Sequence, residues 1–431
     1  MINKITKPGR IVILLGAPFT EQNYERIGIL YLSAYFEVMV FDCTELMGRN
    51  IKKIKFHQAK WRNFFPISSE LELATQLEKY QPHFAIDFIG FGSDWLRIYQ
   101  ILTRYNVKLI IQKTGSLPYF RFKNFLNSIF FGEKSGSVVH DSKSNGVAVS
   151  SFIILDCISN LIGKIKLRLK KTLINKEIIK KMPECIGLVA GYKSLDRFLS
   201  RCKPIIWNGS NDYHTFIKAK AELISKVNSQ LDEPFILFID DNLPNASDWI
   251  VWDVSPPVTA RLYYPALNNF FERIELLYGM PVRVAGNPSS VGDGNYQSHM
   301  GGRTVVFGNT APLVLQSALV LFHGSTAISF AVMARKPILS LISRELAQSH
   351  YGLHIKTMAK TLGTVTVDID QLSKPIPNLS SLVANEGRYS LYEKNYICND
   401  LSTESKPWGA LIEFINGSLK DKVAVKVENS N

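Results

Sequence analysis

The chain has 431 residues, 46% hydrophobic and 20% charged, which excludes an intrinsically disordered protein and exceeds what one ordinary core organises. Its formal net charge of +13 suits an acidic partner such as anionic lipid, a nucleotide-activated donor, an anionic glycan or nucleic acid. No zinc-finger or RNP-type pattern is present, so nucleic acid is not expected among the partners. The five cysteines (43, 157, 185, 202 and 398) are scattered without a CxxC and read as reduced, buried thiols of a cytoplasmic protein. The N-terminal MINKITKPGRIVILLGAPF has the basic start of a signal peptide, but its apolar run is only strand-length and ends in Gly-Ala-Pro. No stretch reaches the ~18 uninterrupted apolar residues of a membrane span.

In chain order, residues 10–16 (RIVILLG) predict a buried strand. A helix is expected over 21–35, with Ile27, Leu30, Tyr31 and Ala34 on one side, and a second strand over 37–41. This βαβ opening predicts a parallel sheet, and it lacks the GxGxxG dinucleotide fingerprint. Thr20, Asn23 and Arg26 then lie at the ligand-facing edge of that sheet. Helices follow over 71–80 and 95–105, and strands over 84–89 and 107–112, the last running into Thr114-Gly115-Ser116. Residues 122–150, rich in Gly, Ser and Lys, read as a long loop.

Residues 151–171 have helical periodicity through Ile154, Ile158, Leu161, Ile165 and Leu169. The far half of that helix and the turn after it are basic (Lys164, Lys166, Arg168, Lys170, Lys171, Lys176, Lys180, Lys181, against only Glu177) and read equally as a solvated face or as a surface docking on an anionic inner leaflet. Short strands are expected at 186–190 and 204–207, then a loop with Asn211-Asp212-Tyr213, then a helix over 215–229.

The pattern restarts near Asp232–Pro234, where a domain boundary is expected. Strands are predicted at 235–239, 282–285, 303–307, 319–322, 338–341 and 365–367. The helix within 256–278 buries Tyr263, Leu267, Phe270, Phe271 and Ile274, and further helices fall at 311–317, 344–359 and 408–415, before a frayed tail over 423–431. The expected class is therefore α/β: a first domain over 1–230, a second over 231–400, and a terminal helix and tail over 401–431.

Three loops of the second half each follow a buried strand: Asp240-Asp241, Asn287-Pro288-Ser289-Ser290, and His323-Gly324-Ser325-Thr326. In a doubly wound domain they converge on one sheet edge. The Gly-Ser-Thr turn opens a helix, so its backbone N–H groups and hydroxyls can hold phosphate or simply cap the helix. Asp240 or Asp241 can serve as nucleophile or base at an anomeric carbon, or as an ordinary turn residue. His323 is either a ligand contact or a satisfied buried histidine. No His/Cys/carboxylate spacing points to a metal, and the late Asp368-Ile369-Asp370 sits in the wrong company for a metal–nucleotide motif.

Seven strings occur in order: PFTEQNYERIG, TGSLP, NDYHTF, FIDDNLP, YYPALNNFFERIE, AGNPSS and FHGSTAISFAVMARKPI. Together they resemble bacterial surface-polysaccharide glycosyltransferases of the GT-B fold, and among these the retaining β-Kdo transferases. The resemblance implies two Rossmann-like domains with parallel sheets facing a central cleft. It implies synthesis of lipopolysaccharide O-antigen or capsule, with β-Kdo passing from CMP-Kdo to a glycan or lipid-linked glycan with retention, and with no metal or resident cofactor. Asp240 would match the family's nucleophilic carboxylate, with Asp241 as the fallback. Ser325 and Thr326, with Gly324, would match the motif holding the CMP phosphate. Asn287 stands before Pro288 where the family has His, and Asn donates a hydrogen bond without carrying charge. Either His323, Arg283 or Arg303 would compensate, or the donor would differ, or activity would be weakened. Thr20, Asn23, Arg26, Gly115 and Ser116 would line the acceptor side, and Glu184 has only a positional claim to acid/base work. The enzyme would work in the cytoplasm, or peripherally on the inner face of the inner membrane. Other readings are a GT-B transferase using a UDP-, GDP- or CMP-nonulosonate sugar, a non-catalytic glycan-assembly subunit of the same fold, and a sugar-nucleotide epimerase.

Overall fold

The computed structural model describes residues 9–48, 58–89, 95–115, 117–118, 184–196, 198–225, 233–246, 249, 254–371, 373–399 and 408–428. The first sheet contains β1 (Arg10–Leu15), β2 (Glu37–Asp42), β3 (Phe64–Pro66), β4 (Phe84–Phe88), β5 (Lys108–Lys113), β6 (Cys185–Val189) and β7 (Ile205–Trp207). Its spatial order is β3-β2-β1-β4-β5-β6-β7, and every pairing is parallel. The second contains β8 (Ile236–Ile239), β9 (Val282–Gly286), β10 (Val305–Phe307), β11 (Leu319–Phe322), β12 (Ile338–Ile342) and β13 (Thr366–Asp368), in the order β10-β9-β8-β11-β12-β13, again all parallel.

Parallel sheets are covered on both faces, so their strands carry near-continuous apolar runs. RIVILL, ILFI and LVLF are such runs, and each sheet separates two apolar cores. In both sheets the chain reverses direction at the first-laid strand, giving switch points between β1 and β4 and between β8 and β11. Two Rossmann-like domains of this kind make the GT-B architecture.

Several elements depart from expectation for local reasons. The helix expected over 21–35 is two, Glu21–Ile27 and Ile29–Ser33, because Gly28 adopts the left-handed conformation (φ 68°) and caps the first. The break turns the buried face from Leu30 and Tyr31 to Ile29 and Leu32, and leaves Leu30 66% exposed. The helix expected over 344–359 divides into Arg344–Gln348 and His350–Leu362, with Ser349 accepting from the Gly352 N–H as the second N-cap. β3 is a three-residue edge strand with no readable alternation.

Asn211-Asp212-Tyr213 form the first turn of a helix, Asn211–Ser225, rather than a loop. Phe216 and Ala219 of that helix pack with Leu237, Val320 and Phe322, inside the second sheet's core and ahead of position 231. The terminal helix, Gly409–Glu428, returns to the first domain, with Trp408, Leu411, Ile412 and Ile415 packed against Ile11, Ile13 and Ile186; its backbone is helical as far as Glu428, inside the stretch read as a frayed tail. Both crossing segments meet one helix end. Asn211 Nδ2 donates to Arg26 O at 3.4 Å and Trp408 Nε1 to Ile27 O at 2.7 Å, satisfying carbonyls that a helix C-terminus leaves unpaired. Ser116, the 122–150 loop, the 151–171 helix and the basic 164–181 run lie outside the described residues. Among the described residues no helix is long and apolar enough to cross a membrane.

Candidate active site

The C-terminal ends of β8, β9 and β11 meet at the second sheet's switch point. Asp240 and Asp241 follow β8 directly and point to opposite sides, as successive residues of an extended chain must. Asp240 is 3% exposed; its Oδ2 accepts from the Tyr296 hydroxyl, while its Oδ1 makes no well-formed hydrogen bond and the Asn242 and Asp241 N–H groups approach the carboxylate. Burial, augmented by the neighbouring Asp241 charge and only partly offset by the Tyr296 hydrogen bond and the Asn242 and Asp241 backbone N–H groups, pushes the Asp240 carboxyl up to about 7. The Asn287 backbone N–H serves the Tyr296 phenol oxygen, so the β9 loop, Tyr296 and Asp240 form one chain of hydrogen bonds. Tyr296 begins the short Tyr296–His299 helix and is itself buried.

Asp241 is half-buried and faces the β11 turn. Its Oδ2 accepts from the Gly324 N–H at 3.0 Å and from the Tyr351 hydroxyl at 3.2 Å, and the Ser325 hydroxyl also bonds to this carboxylate. Burial raises its pKa, and these donors with the nearby His354 pull it back. Gly324 permits this assembly because a Cβ there would lie 2.8 Å from both Tyr351 Oη and His354 Cδ2. His354 Nε2 also meets Gly324 O at 3.1 Å. The Gly324 N–H expected to meet a phosphate is therefore taken by the chain's own carboxylate. Ser325 is half-buried and Thr326 exposed, so the open side of the turn is formed by these two residues.

His323 is a buried structural histidine rather than a donor contact. It is 0% exposed, Nδ1 lies 2.8 Å from Leu341 O and Nε2 lies 2.9 Å from the Tyr263 hydroxyl. A carbonyl only accepts, so the proton sits on Nδ1 and Nε2 accepts from Tyr263. Burial drives its pKa down to about 4 despite the Leu341 bond, so the ring is neutral at pH 7. Arg303 likewise leaves the expected donor set. It forms a two-pronged ion pair with Glu275 (2.9 and 2.7 Å), bonds Asn268 Oδ1 at 3.0 Å and lies over the Phe271 ring, with its side chain 10% exposed. Arg283 lies over the Phe235 ring at 4.3 Å.

Asn287 and Pro288 are where the sequence reading put them, at the end of β9, and Pro288–Ser290 is a 3-10 turn whose backbone includes Ser289. On the first domain, Thr20 caps the Glu21–Ile27 helix, its Oγ1 accepting from the Asn23 N–H at 3.2 Å; Asn23 Nδ2 donates to Pro18 O at 2.7 Å. Arg26 is exposed and electrostatically paired with Asp212, and Gly115 lies exposed beyond β5. Among the described residues, no group of three or more His, Cys, Asp or Glu is arranged to hold a metal ion. Tyr296, Tyr351 and His354 were missed in the sequence. They reach the site from helices, and their only signal was a Gly-rich loop before one and an N-capped helix before the others.

No family model matches the chain, and a search of curated proteins finds no match. Solved structures resemble it at the level of fold. The calicheamicin glycosyltransferase CalG4 is 12% identical, with 96% of this chain and 98% of that one covered at a TM-score of 0.48. The wall teichoic acid polymerase TagF is 11% identical, with 97% and 90% covered at 0.48. The UDP-GlcNAc 2-epimerase of Methanocaldococcus jannaschii is 10% identical, with 94% and 99% covered at 0.43.

Proposed function

We propose that the protein is a glycosyltransferase whose nucleotide-sugar donor binds at the β8/β11 switch point, and that Asp240 is its nucleophile. One observation carries this reading: a buried carboxylate at that edge with one oxygen held by Tyr296 and the other without a well-formed hydrogen bond. Buried polar atoms are nearly always satisfied, and an exception at a ligand-binding edge calls for a functional reason. The finer assignment, supported by the sequence resemblance, is transfer of β-Kdo from CMP-Kdo to a glycan or lipid-linked glycan of the bacterial surface.

Tyr296 orients Asp240 so that the oxygen it does not hold attacks the anomeric carbon as CMP departs. An acceptor hydroxyl then displaces the carboxylate, and two inversions give retention. Ser325 and Thr326 meet the departing phosphate, and Asp241, held on the Gly324 N–H, fixes the turn that presents them. The acceptor approaches from the rim of the first sheet, where Thr20, Asn23, Arg26 and Gly115 lie. An anionic membrane surface as a further partner rests on the basic 164–181 run alone.

The test is nucleotide release without acceptor. A covalent first step predicts one equivalent of CMP freed from CMP-Kdo per enzyme, in a burst, and none of UDP or GDP from UDP-GlcNAc or GDP-mannose. Release of UDP or GDP with no CMP release overturns the donor assignment. Release from none of the three, with no thermal shift by CMP, UDP or GDP, overturns the transferase reading.

A further inference from the structure

Outside the candidate site, two cysteines are packed against each other. Cys185 opens β6, and Cys202 follows the Leu199–Arg201 turn that returns beneath it; their sulfurs lie 2.6 Å apart. The surrounding chain brings them together. Lys203 N–H donates to Cys185 O at 2.8 Å, fastening the returning segment to the start of β6. Gly187, on the same face of β6 two residues on, has no side chain, and a Cβ there would lie 2.6 Å from Ile205 Cδ1 and 3.3 Å from Cys202 Cβ. The missing side chain lets Cys202 settle onto the strand. At its other end the excursion is held by Asp196, which accepts from the Phe198 and Leu199 N–H groups and from Lys113 Nζ, each at 2.9 Å.

We propose that Cys185 and Cys202 form a modification site, a dithiol that closes to an intramolecular disulfide in the presence of a low-molecular-weight disulfide. Cys185 is the attacking thiol because it is half-buried, whereas Cys202 is 1% exposed. The close Cys202 sulfur pulls the Cys185 pKa down against the opposing effect of burial. The Cys185 thiolate attacks one sulfur of oxidised glutathione, forming a mixed disulfide and releasing one glutathione thiolate. Cys202 then loses its proton and attacks Cys185 Sγ, expelling the second glutathione. The two protein thiols are oxidised, and one glutathione disulfide is reduced to two thiols.

The experiment incubates the full-length protein with oxidised glutathione, quenches in acid, alkylates the remaining thiols and maps peptides. The expected product is a linked pair of peptides carrying Cys185 and Cys202, with the alkylated cysteines falling from five to three. Cys202→Ser traps glutathione on Cys185, and Cys185→Ser leaves Cys202 a free thiol. Hydrogen exchange in the wild type slows over 199–203 on oxidation and recovers with dithiothreitol. Wild-type protein that holds glutathione on Cys185 with no linked peptide, or that alkylates at both positions after treatment, overturns the proposal without reference to any variant.

Discussion

Asp240 carries an ionisation cost that can be read as stability. Its pKa rises from an ordinary 3.8 to about 7 on folding, so the folded chain binds a proton that the unfolded chain has released between those values. Stability from this group is full below pH 4, falls as pH rises through about 7, and is flat above. The rise from 3.8 to about 7 corresponds to on the order of 4 kcal/mol at its limit. Asp240→Asn keeps the shape and can still accept from Tyr296, so it should raise the thermal midpoint at pH 8 and change it little at pH 4. Denaturation scans at the two pH values check this. The wild-type first step should also accelerate as pH rises through about 7, because only the ionised carboxylate attacks.

His323 has the opposite sign and a different job. Its pKa falls to about 4 on folding, so its contribution is intact above pH 6.5 and is lost as pH falls towards 4. His323→Ala leaves the Tyr263 hydroxyl and Leu341 carbonyl without this partner and should cost at least about 2 kcal/mol. Folded variant protein should keep its affinity for CMP, measured by titration calorimetry, since the ring does not face the ligand. The Asp-Asp and Gly-Ser-Thr positions were legible because they end apolar strands. The role of His323 was not, because its partners stand 18 and 60 residues away and no local pattern reports them.

Strands were the most readable elements, since burial on both faces makes them short, unbroken apolar runs. Helix faces were less so. One left-handed glycine, Gly28, rotated a face that periodicity alone placed through Leu30 and Tyr31. At the site, the β11 turn and the His350–Leu362 helix depend on the missing side chain of Gly324. Gly324→Ala should drive Tyr351 and His354 off the turn, lower stability by roughly 1–3 kcal/mol and reduce CMP release. Unchanged release kinetics would show that Asp241 and Tyr351 do not organise the donor site. Arg303 illustrates the limit of charge reading. An arginine beside a ligand edge looks like a phosphate contact, yet Glu275, Asn268 and Phe271 hold it as a clamp between the Ala260–Tyr278 helix and the start of β10.

At the scale of the molecule, the two domains exchange helices. The Asn211–Ser225 helix fills the second domain's core, and the Gly409–Glu428 helix returns to cover the first. The expected boundary at 231 followed the restart of strand pattern, which reports where a sheet begins and is blind to a helix that packs ahead of it. A second-domain fragment spanning 208–399 should therefore unfold cooperatively. One spanning 233–399 should bind the apolar dye ANS and lose its sharp transition, because the seat of Phe216 and Ala219 is open. Equal stability of the two fragments would refute this assignment of the helix.

The central claim is that Asp240 becomes glycosylated by the donor, and intact-protein mass spectrometry after incubation with CMP-Kdo tests it most directly. Wild type and Asp241→Ala should each gain the mass of one Kdo residue, the latter more slowly, while Asp240→Ala should gain none, with the adduct mapping to the peptide containing Asp240. An adduct that persists in Asp240→Ala, or a wild type that releases CMP to water or acceptor without ever gaining mass, would contradict the account.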